Sequence, residues 1–384
     1  MGVIQLAKKL RVGVIFGGRS SEHEVSIRSA ASVIEAIDRK KYDVLPIAIT
    51  RAGKWLPPVE AARLLSENAQ SLLPKETVSK NRGDIAILGD PSHVGLTSFG
   101  VNGGALASEP LDVVFPVLHG PFGEDGTLQG LLEMANVPYV GGGVLASACG
   151  MDKVTMKQLF LQSGLPMCKY TWFLRSHWGA DRAKVVRKVE REIGYPCFVK
   201  PANLGSSVGI SKATDKASLI KAIDLAARFD RKIIVEEAVD AREIECAVIG
   251  NDEPRASLPG EYVVYDNSTG FLDYTEKYSS TGRVEFVVPA PISKSLVTKV
   301  QRLALRAFQS VDGSGLARVD FFLNRATDDL LINELNTLPG LTEVSGYPKM
   351  WEASGLSYPK MLDELIELAF ERHREKSLNQ STLT

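Results

Sequence analysis

Apolar and polar residues alternate in two neighbouring segments near the C-terminal end. The first reads Ala317-Arg318-Val319-Asp320-Phe321-Phe322 and the second Leu331-Ile332-Asn333-Glu334-Leu335-Asn336-Thr337. A period of two belongs to a strand with one face toward a core. Arg318 and Asp320 therefore share a face, as do Glu334 and Asn336. The polar stretch Asn324 to Asp329 between them predicts a turn, so the pair reads as an antiparallel hairpin. If the polar faces coincide, an arginine, two carboxylates and an amide oxygen converge. Such an oxygen set, without His or Cys, suits Mg²⁺ bound through carboxylates and substrate phosphates. Taken alone, the same pattern also fits a hairpin whose charges simply face water.

Upstream, short apolar runs alternate with helical periodicity. Strands are predicted at Arg11 to Phe16, Val44 to Ile49, Ile85 to Leu88 and Val113 to Leu118. Helices are predicted where Ala30, Val33, Ile34 and Ile37 fall in phase, and again at Leu128, Leu131, Leu132 and Ala135. That alternation implies an α/β fold with a mostly parallel, doubly wound sheet. Apart from Ile85 to Leu88, residues 57–104 are polar and irregular and predict no element. Gly141-Gly142-Gly143 reads as a domain boundary. Beyond it come a helix at Asp152 to Leu161, strands at Cys197 to Lys200, Ile233 to Val235 and Ile244 to Ile249, and an amphipathic helix over 292–310. Tyr265 to Gly282 reads as a long polar surface loop, a length that is usually functional.

Length changes the picture modestly: 384 residues predict two or three domains. A net charge of -1 gives no global attraction to nucleic acid or to an anionic membrane, so neither is expected as a partner. No apolar run is long enough to span a bilayer, and the first ten residues lack a signal-peptide core. Cys149, Cys168, Cys197 and Cys246 form no CxxC pair, which fits free thiols in the cytoplasm.

Candidate chemistry clusters at strand ends. Lys200-Pro201-Ala202-Asn203-Leu204-Gly205-Ser206-Ser207-Val208-Gly209 can wrap phosphates with backbone N–H groups, although it is not a Walker A sequence. Lys153, near a helix start, adds a second cation. Glu236 and Glu237, followed by Val239 and Glu243, could accept from an adenine amino group and ribose hydroxyls, or be solvated acids. Gly17 to Glu24 lies at a strand-to-helix turn, where ligands bind in open α/β sheets. Ser21 and Glu24 have capping-box spacing, which leaves Glu22 to bind a substrate ammonium. In His119-Gly120-Pro121-Phe122-Gly123-Glu124-Asp125-Gly126, His119 could orient a substrate or a neighbouring carboxylate. The turn after the acidic strand offers the Gly340 N–H as an oxyanion donor and Ser345 as a carboxylate holder.

Together these segments resemble the D-alanine–D-alanine ligase family, within the ATP-grasp group. The match runs from about Val12 to about Glu364 and includes GGRSSEHEVS, HGPFGEDGTLQG, Met151 to Lys153, VKPANLGSSVGI, DYTEKYSS, ARVDFF and NELNTLPGLTEVS in order. The resemblance implies three domains: a Rossmann-like 1–149, a central lid over 150–241, and a catalytic 242–384 carrying the mobile loop 265–282. It implies ATP as cosubstrate, Mg²⁺ (with Mn²⁺ as substitute) on Asp320, Glu334 and Asn336, D-alanine as substrate, and a homodimer. Lys153 and Lys200 look like phosphate lysines, and Glu236, Glu237, Val239 and Glu243 like nucleoside contacts. Ser207, Phe322 and Asn333 join the nucleotide site by the same resemblance. Glu22 looks like the holder of the first D-alanine's ammonium, in a triad with Ser206 and Tyr278, with His119 beside it. Lys277 would reach the γ-phosphate, Arg318 and Gly340 would stabilise developing charge, and Ser345 would receive the second D-alanine's carboxylate. Two positions depart from the pattern. Leu272 stands where many members carry Tyr, and Gly346, in place of a larger apolar residue, would widen the second-substrate pocket.

Overall fold

The protein is described here by a computed structural model covering residues 8–74, 83–93, 95–100, 105–205, 208–264 and 284–380. Ser206, Ser207, Leu272, Lys277, Tyr278 and the loop 265–282 lie outside the described residues.

The first sheet runs β3-β2-β1-β7 and contains β1 (Leu10–Gly17), β2 (Tyr42–Ile49), β3 (Trp55–Leu56) and β7 (Val113–Pro116). β1 pairs parallel with both β2 and β7, and β3 pairs antiparallel with β2. The interior strands are aliphatic on both sides because helices cover both faces. β1 ends at Gly17, whose φ is +89°; an added Cβ would stand 2.3 Å from the Ile49 carbonyl oxygen, so only glycine fits this sharp exit. The helix His23–Ala36 follows and buries Val25, Ala30, Val33 and Ile34. The expected capping box does not form. Glu22 is the N-cap residue with no side-chain cap, the Ser20 hydroxyl accepts from the Glu22 N–H (3.1 Å), and Glu24 pairs with Arg51 (3.0 Å). His23 is structural, its Nδ1 lying 2.9 Å from the Gly18 carbonyl oxygen.

Within 57–104, where the sequence predicted no element beyond the strand at Ile85, the structure has short helices at Pro58–Ala62 and Glu67–Ser71. Two further strands there, β4 (Asp84–Ile87) and β5 (Leu96–Phe99), form a three-stranded antiparallel sheet with β6 (Ala105–Glu109), just beyond that stretch. These elements are four or five residues long, too short for periodicity to register.

The helices Val144–Met151 and Lys153–Gln162 lead into a second sheet, ordered β10-β9-β11-β8. It consists of β8 (Tyr170–Leu174), β9 (Cys197–Pro201), β10 (Ser211–Ala213) and β11 (Lys232–Glu237), all antiparallel. Its core draws only on residues between Phe173 and Val235. A third sheet is ordered β15-β14-β12-β16-β17, with β13 (Arg255–Ala256) on β12. Its strands are β12 (Ala241–Gly250), β14 (Gly260–Val264), β15 (Val284–Val287), β16 (Gly315–Asn324) and β17 (Leu330–Asn336). The helix Lys294–Ser310 packs on one face through Val300, Leu303, Ala304 and Ala307.

The helix Lys153–Gln162 is a wedge between the second and third sheets. Val154 packs with Ala202 and Ile234 of the former, and Met156 and Phe160 join the core of the latter. Another cluster ties the first sheet to the C-terminal helices through Tyr347, Trp351, Met361 and Leu365. Among the described residues no helix is long and apolar enough to cross a membrane.

Candidate active site

The acidic hairpin forms as its alternation predicts. β16 and β17 are antiparallel, and Asp320 lies opposite Glu334 and Arg318 opposite Asn336, so all four side chains share a face. The register slips between Asp320 and Phe321, because Ile332 pairs with Phe321 while Glu334 pairs with Asp320. Asn333 is thus the extra residue of a bulge. It shifts the phase so that Ile332 stays in the core while Glu334 turns to the polar face. On the other side of β16, Glu245 of β12 lies opposite Asp320 and Glu243 opposite Phe322.

Each hairpin carboxylate already has a basic partner. Arg318 grips Asp320 through two hydrogen bonds of 2.7 Å, Nε to Oδ1 and Nη2 to Oδ2, and its Nε is 3.3 Å from Glu245 Oε2. Lys153 Nζ lies 3.0 Å from Glu334 Oε2 and donates to the Leu204 carbonyl at 3.2 Å. Lys153, assisted by Lys200, holds the Glu334 carboxyl down at about 2 against the cost of burial. Asn336 Oδ1 accepts from the Leu338 N–H at 3.2 Å. Among the described residues no group of three or more His, Cys, Asp or Glu could hold a metal ion by itself. Two carboxylates and an amide fit Mg²⁺ that arrives with phosphate oxygens, since that ion keeps much of its shell from substrate and water.

A second, deeper ion cluster was not anticipated from the sequence. Glu236 is not a solvated acid beyond β11: it lies inside the strand and is 2% exposed. Its Oε2 is 2.5 Å from Lys200 Nζ and its Oε1 3.0 Å from Lys157 Nζ. Despite burial, the two lysines hold this carboxyl down at about 2. Lys157 also donates to the Asn333 carbonyl at 3.0 Å, the group that the bulge frees from strand pairing. A lysine among Val154, Met156 and Phe160, on the otherwise apolar buried face of this helix, was the available signal. Asp152 was missed as well. It caps that helix by accepting from the Val154 and Thr155 N–H groups, takes a bond from Asn203, and pairs with Lys232. It thereby fixes Lys153 against the loop after β9. Glu237 is used locally, accepting from the Lys169 N–H at 2.7 Å. Val239, between β11 and β12, and Glu243, within β12, are half-buried.

Glu22 sits where two loops meet. A Cβ built on Gly120, after β7, would be 3.1 Å from its Oε2, and one on Gly205, after β9, 3.0 Å. His119 is buried, with Nδ1 3.1 Å from the Leu338 carbonyl oxygen, which ties the first loop to the turn after β17. Burial holds the His119 imidazole below its usual titration range, opposed by the Glu22 carboxylate. An apolar cavity of about 210 Å³, lined by Trp55, Leu118, Phe122 and Leu128, also borders His119. Ser345 is buried, and its hydroxyl accepts from the Thr342 N–H at 3.2 Å and meets Thr342 Oγ1 at 2.7 Å. Gly340 lies in the same turn.

Gly346 opens no extra room, contrary to expectation. A Cβ there would stand 2.8 Å from Phe286 Cζ and 2.8 Å from Glu245 Oε2, and Gly260 would meet the same ring at 2.3 Å. The Phe286 ring occupies the volume that a larger side chain at 346 would take.

Comparison with known proteins accounts for this arrangement. Residues 11–142 match the family model described as D-ala D-ala ligase N-terminus, and 159–367 that described as D-ala D-ala ligase C-terminus. The chain is 50% identical to a D-alanine–D-alanine ligase of Heliobacterium modesticaldum, covering 97% of each protein. Among solved structures it resembles the VanG D-Ala:D-Ser ligase from Enterococcus faecalis (TM-score 0.81, 37% identity, 94% of this chain and 100% of that one). It also resembles the D-alanine–D-alanine ligase from Coxiella burnetii (TM-score 0.78, 36% identity, 97% of each). The α/β fold is that of these ligases, an ATP-grasp architecture behind a parallel-stranded N-terminal sheet. The chain belongs to the D-alanine–D-alanine ligase family.

Proposed function

We propose that this chain joins two D-alanines into D-alanyl-D-alanine at the expense of ATP, supplying peptidoglycan synthesis in the cytoplasm. The observation that carries the reading is the hairpin face of Arg318, Asp320, Glu334 and Asn336, set against Lys153. Its division into units 1–149, 150–241 and 242–384 is supported by the sheets, since the second lies within the middle stretch and nearly all of the third within the last.

A carboxylate is a poor electrophile, and phosphorylation to an acyl phosphate provides a leaving group. Asp320, Glu334 and Asn336 would hold Mg²⁺ (or Mn²⁺), which would supply charge neutralisation for the bound phosphates. Lys153 and Lys200 bind the phosphates, while Glu236, Glu237, Val239, Glu243, Phe322 and Asn333 line the nucleoside end. Glu22, with His119, receives the ammonium of the first D-alanine and points its carboxylate at the γ-phosphate. Ser345 takes the carboxylate of the second, whose neutral amine attacks the acyl phosphate. Arg318 and the Gly340 N–H stabilise the oxyanion that forms, a contribution that is usually large in acyl transfer. Lys277, Tyr278, Ser206 and Ser207 take their roles, and the homodimer its place, from the sequence resemblance alone.

Phosphate release measured with ATP, Mg²⁺ and a panel of D- and L-amino acids tests this reading. Release with D-alanine and not with L-alanine is the expected result; release without any amino acid, or with the L series, contradicts it.

A further inference from the structure

A buried carboxylate beside the acidic hairpin has no part in the mechanism above. Glu245 lies in β12, and its neighbours along that strand are apolar. Ile244 and Cys246 enter the core of the third sheet, while Ala247 and Ile249 enter the core shared with the C-terminal helices. Glu245 itself is 2% exposed, and a carboxylate so buried is strongly disfavoured unless a cation meets it. The antiparallel register sets it opposite Asp320, on the face that carries Arg318. Its Oε2 lies 3.3 Å from Arg318 Nε. The same oxygen would lie 2.8 Å from a Cβ built on Gly346, the first residue of the helix Gly346–Ala353 and the neighbour of Ser345. Glu245 thus lies beside both the arginine assigned to the oxyanion and the turn assigned to the second D-alanine.

Arg318 has two carboxylates for one guanidinium. Asp320 has the stronger hold, accepting from Nε and Nη2 at 2.7 Å each. The single Nε–H is given to Asp320 Oδ1, so the 3.3 Å approach to Glu245 is the longer, secondary contact. Asp320 is also one of the residues that would hold the metal. A carboxylate shared by a guanidinium and a divalent cation divides one negative charge between them, and the two cations repel each other. Arg318 is buried, so its charge needs another counter-ion at hand. We infer that Glu245 is a positioning residue, which keeps the Arg318 guanidinium at the oxyanion when Asp320 gives its charge to the metal. The inference rests on the ligase reading above and deepens it.

Burial opposes the charge on Arg318, and Asp320 and Glu245 together more than offset it. Without Glu245 the two demands on Asp320 compete. Either the guanidinium keeps its fork and Asp320 holds the metal weakly, or the fork opens and the arginine loses its place at the reacting carbonyl. The placement also gives Gly346 a reason. The Glu245 carboxylate and the Phe286 ring fill the space beside it, so a side chain at 346 would press on the carboxylate as well as on the ring.

Mn²⁺ binding in the presence of a non-hydrolysable ATP analogue, followed by electron paramagnetic resonance, tests this in a double-mutant cycle of Glu245→Gln and Arg318→Gln. Glu245→Gln alone should weaken Mn²⁺ binding roughly tenfold, although residue 245 is not a ligand. In the Arg318→Gln background Asp320 no longer serves a guanidinium, and the same change should cost no more than about twofold. Equal losses in both backgrounds, as a direct ligand or a purely structural residue would give, overturn the inference. So does the absence of any loss. The wild type supplies a second reading by nuclear magnetic resonance. The Arg318 Nε–H signal, assigned through bonds from its own backbone amide, should move on loading with Mg²⁺ and the analogue while staying shielded from water. An unchanged signal, or one lost to rapid exchange with water, overturns the inference even where the variants do not fold. Failure of the cycle alone leaves the ligase reading standing. Failure of the wild type to bind Mn²⁺ with the analogue overturns the metal site and this inference with it.

Discussion

Lys157 Nζ lies 3.0 Å from Oε1 of Glu236 and 3.0 Å from the carbonyl oxygen of Asn333, with the lysine only 1% exposed. One buried cation thus joins the second sheet to the bulge of the acidic hairpin. Removing Lys157 leaves Glu236 with Lys200 alone and the Asn333 carbonyl without this donor, a partial loss that costs about 1–3 kcal/mol. Lys157→Met should destabilise the protein by that order in denaturant unfolding. It should also raise the KM for ATP more than it lowers kcat, because Glu236 loses one of its two anchors. Unchanged stability in Lys157→Met would remove the cluster from the account.

Acid should expose the same cluster. The folded Glu236 carboxyl titrates at about 2 instead of 4.5, so the unfolded chain binds this proton first. The stabilisation is complete above about 4.5 and is lost as pH falls toward 2. Stability measured across that window should fall steeply in the wild type and more gently in Glu236→Gln, which starts lower but has one proton fewer to take up. Parallel slopes would contradict the assignment.

Glu334→Gln keeps the shape of the hairpin but loses the charge shared by Lys153 and the proposed metal. We expect a native fold by circular dichroism and a loss of turnover on the order of a hundredfold or more at ordinary Mg²⁺. Mn²⁺ binding followed by electron paramagnetic resonance with ATP present should weaken in step. Normal turnover in this variant would rule out Glu334 as a ligand.

The Phe286 ring and Gly346 should behave as one unit. Gly346→Ala places a Cβ 2.8 Å from that ring and should cost about 1–3 kcal/mol by overpacking. Adding Phe286→Leu should recover most of that loss, a coupling that independent sites do not show. Additive effects in the thermal midpoints would mean that the ring does not fill the 346 position.

Much of this was legible in the residues, and the exceptions have physical causes. Asp320 and Glu334 announced the hairpin because a half-buried strand must alternate. The Asn333 bulge was not read from the sequence, although its mark, two apolar residues (Leu331, Ile332) followed by two polar ones (Asn333, Glu334), breaks the alternation there. Ser21 and Glu24 had the spacing of a cap, yet the helix starts at His23 and Glu24 turns to Arg51, a choice made by tertiary neighbours. Glu236 looked solvated because its two lysines lie 36 and 79 positions away in the chain, and only the fold brings them together. Gly346 suggested space, but whether a glycine leaves a void depends on what packs against it, here a ring from β15.

The most direct measurement is product analysis by mass spectrometry with ATP, Mg²⁺ and equal concentrations of D-alanine, D-serine and D-lactate. D-Serine belongs in the mixture because a D-Ala:D-Ser ligase shares this fold at 37% identity. The account expects D-alanyl-D-alanine as the main product at neutral pH. Mostly D-alanyl-D-serine or D-alanyl-D-lactate from the unmodified protein would contradict it.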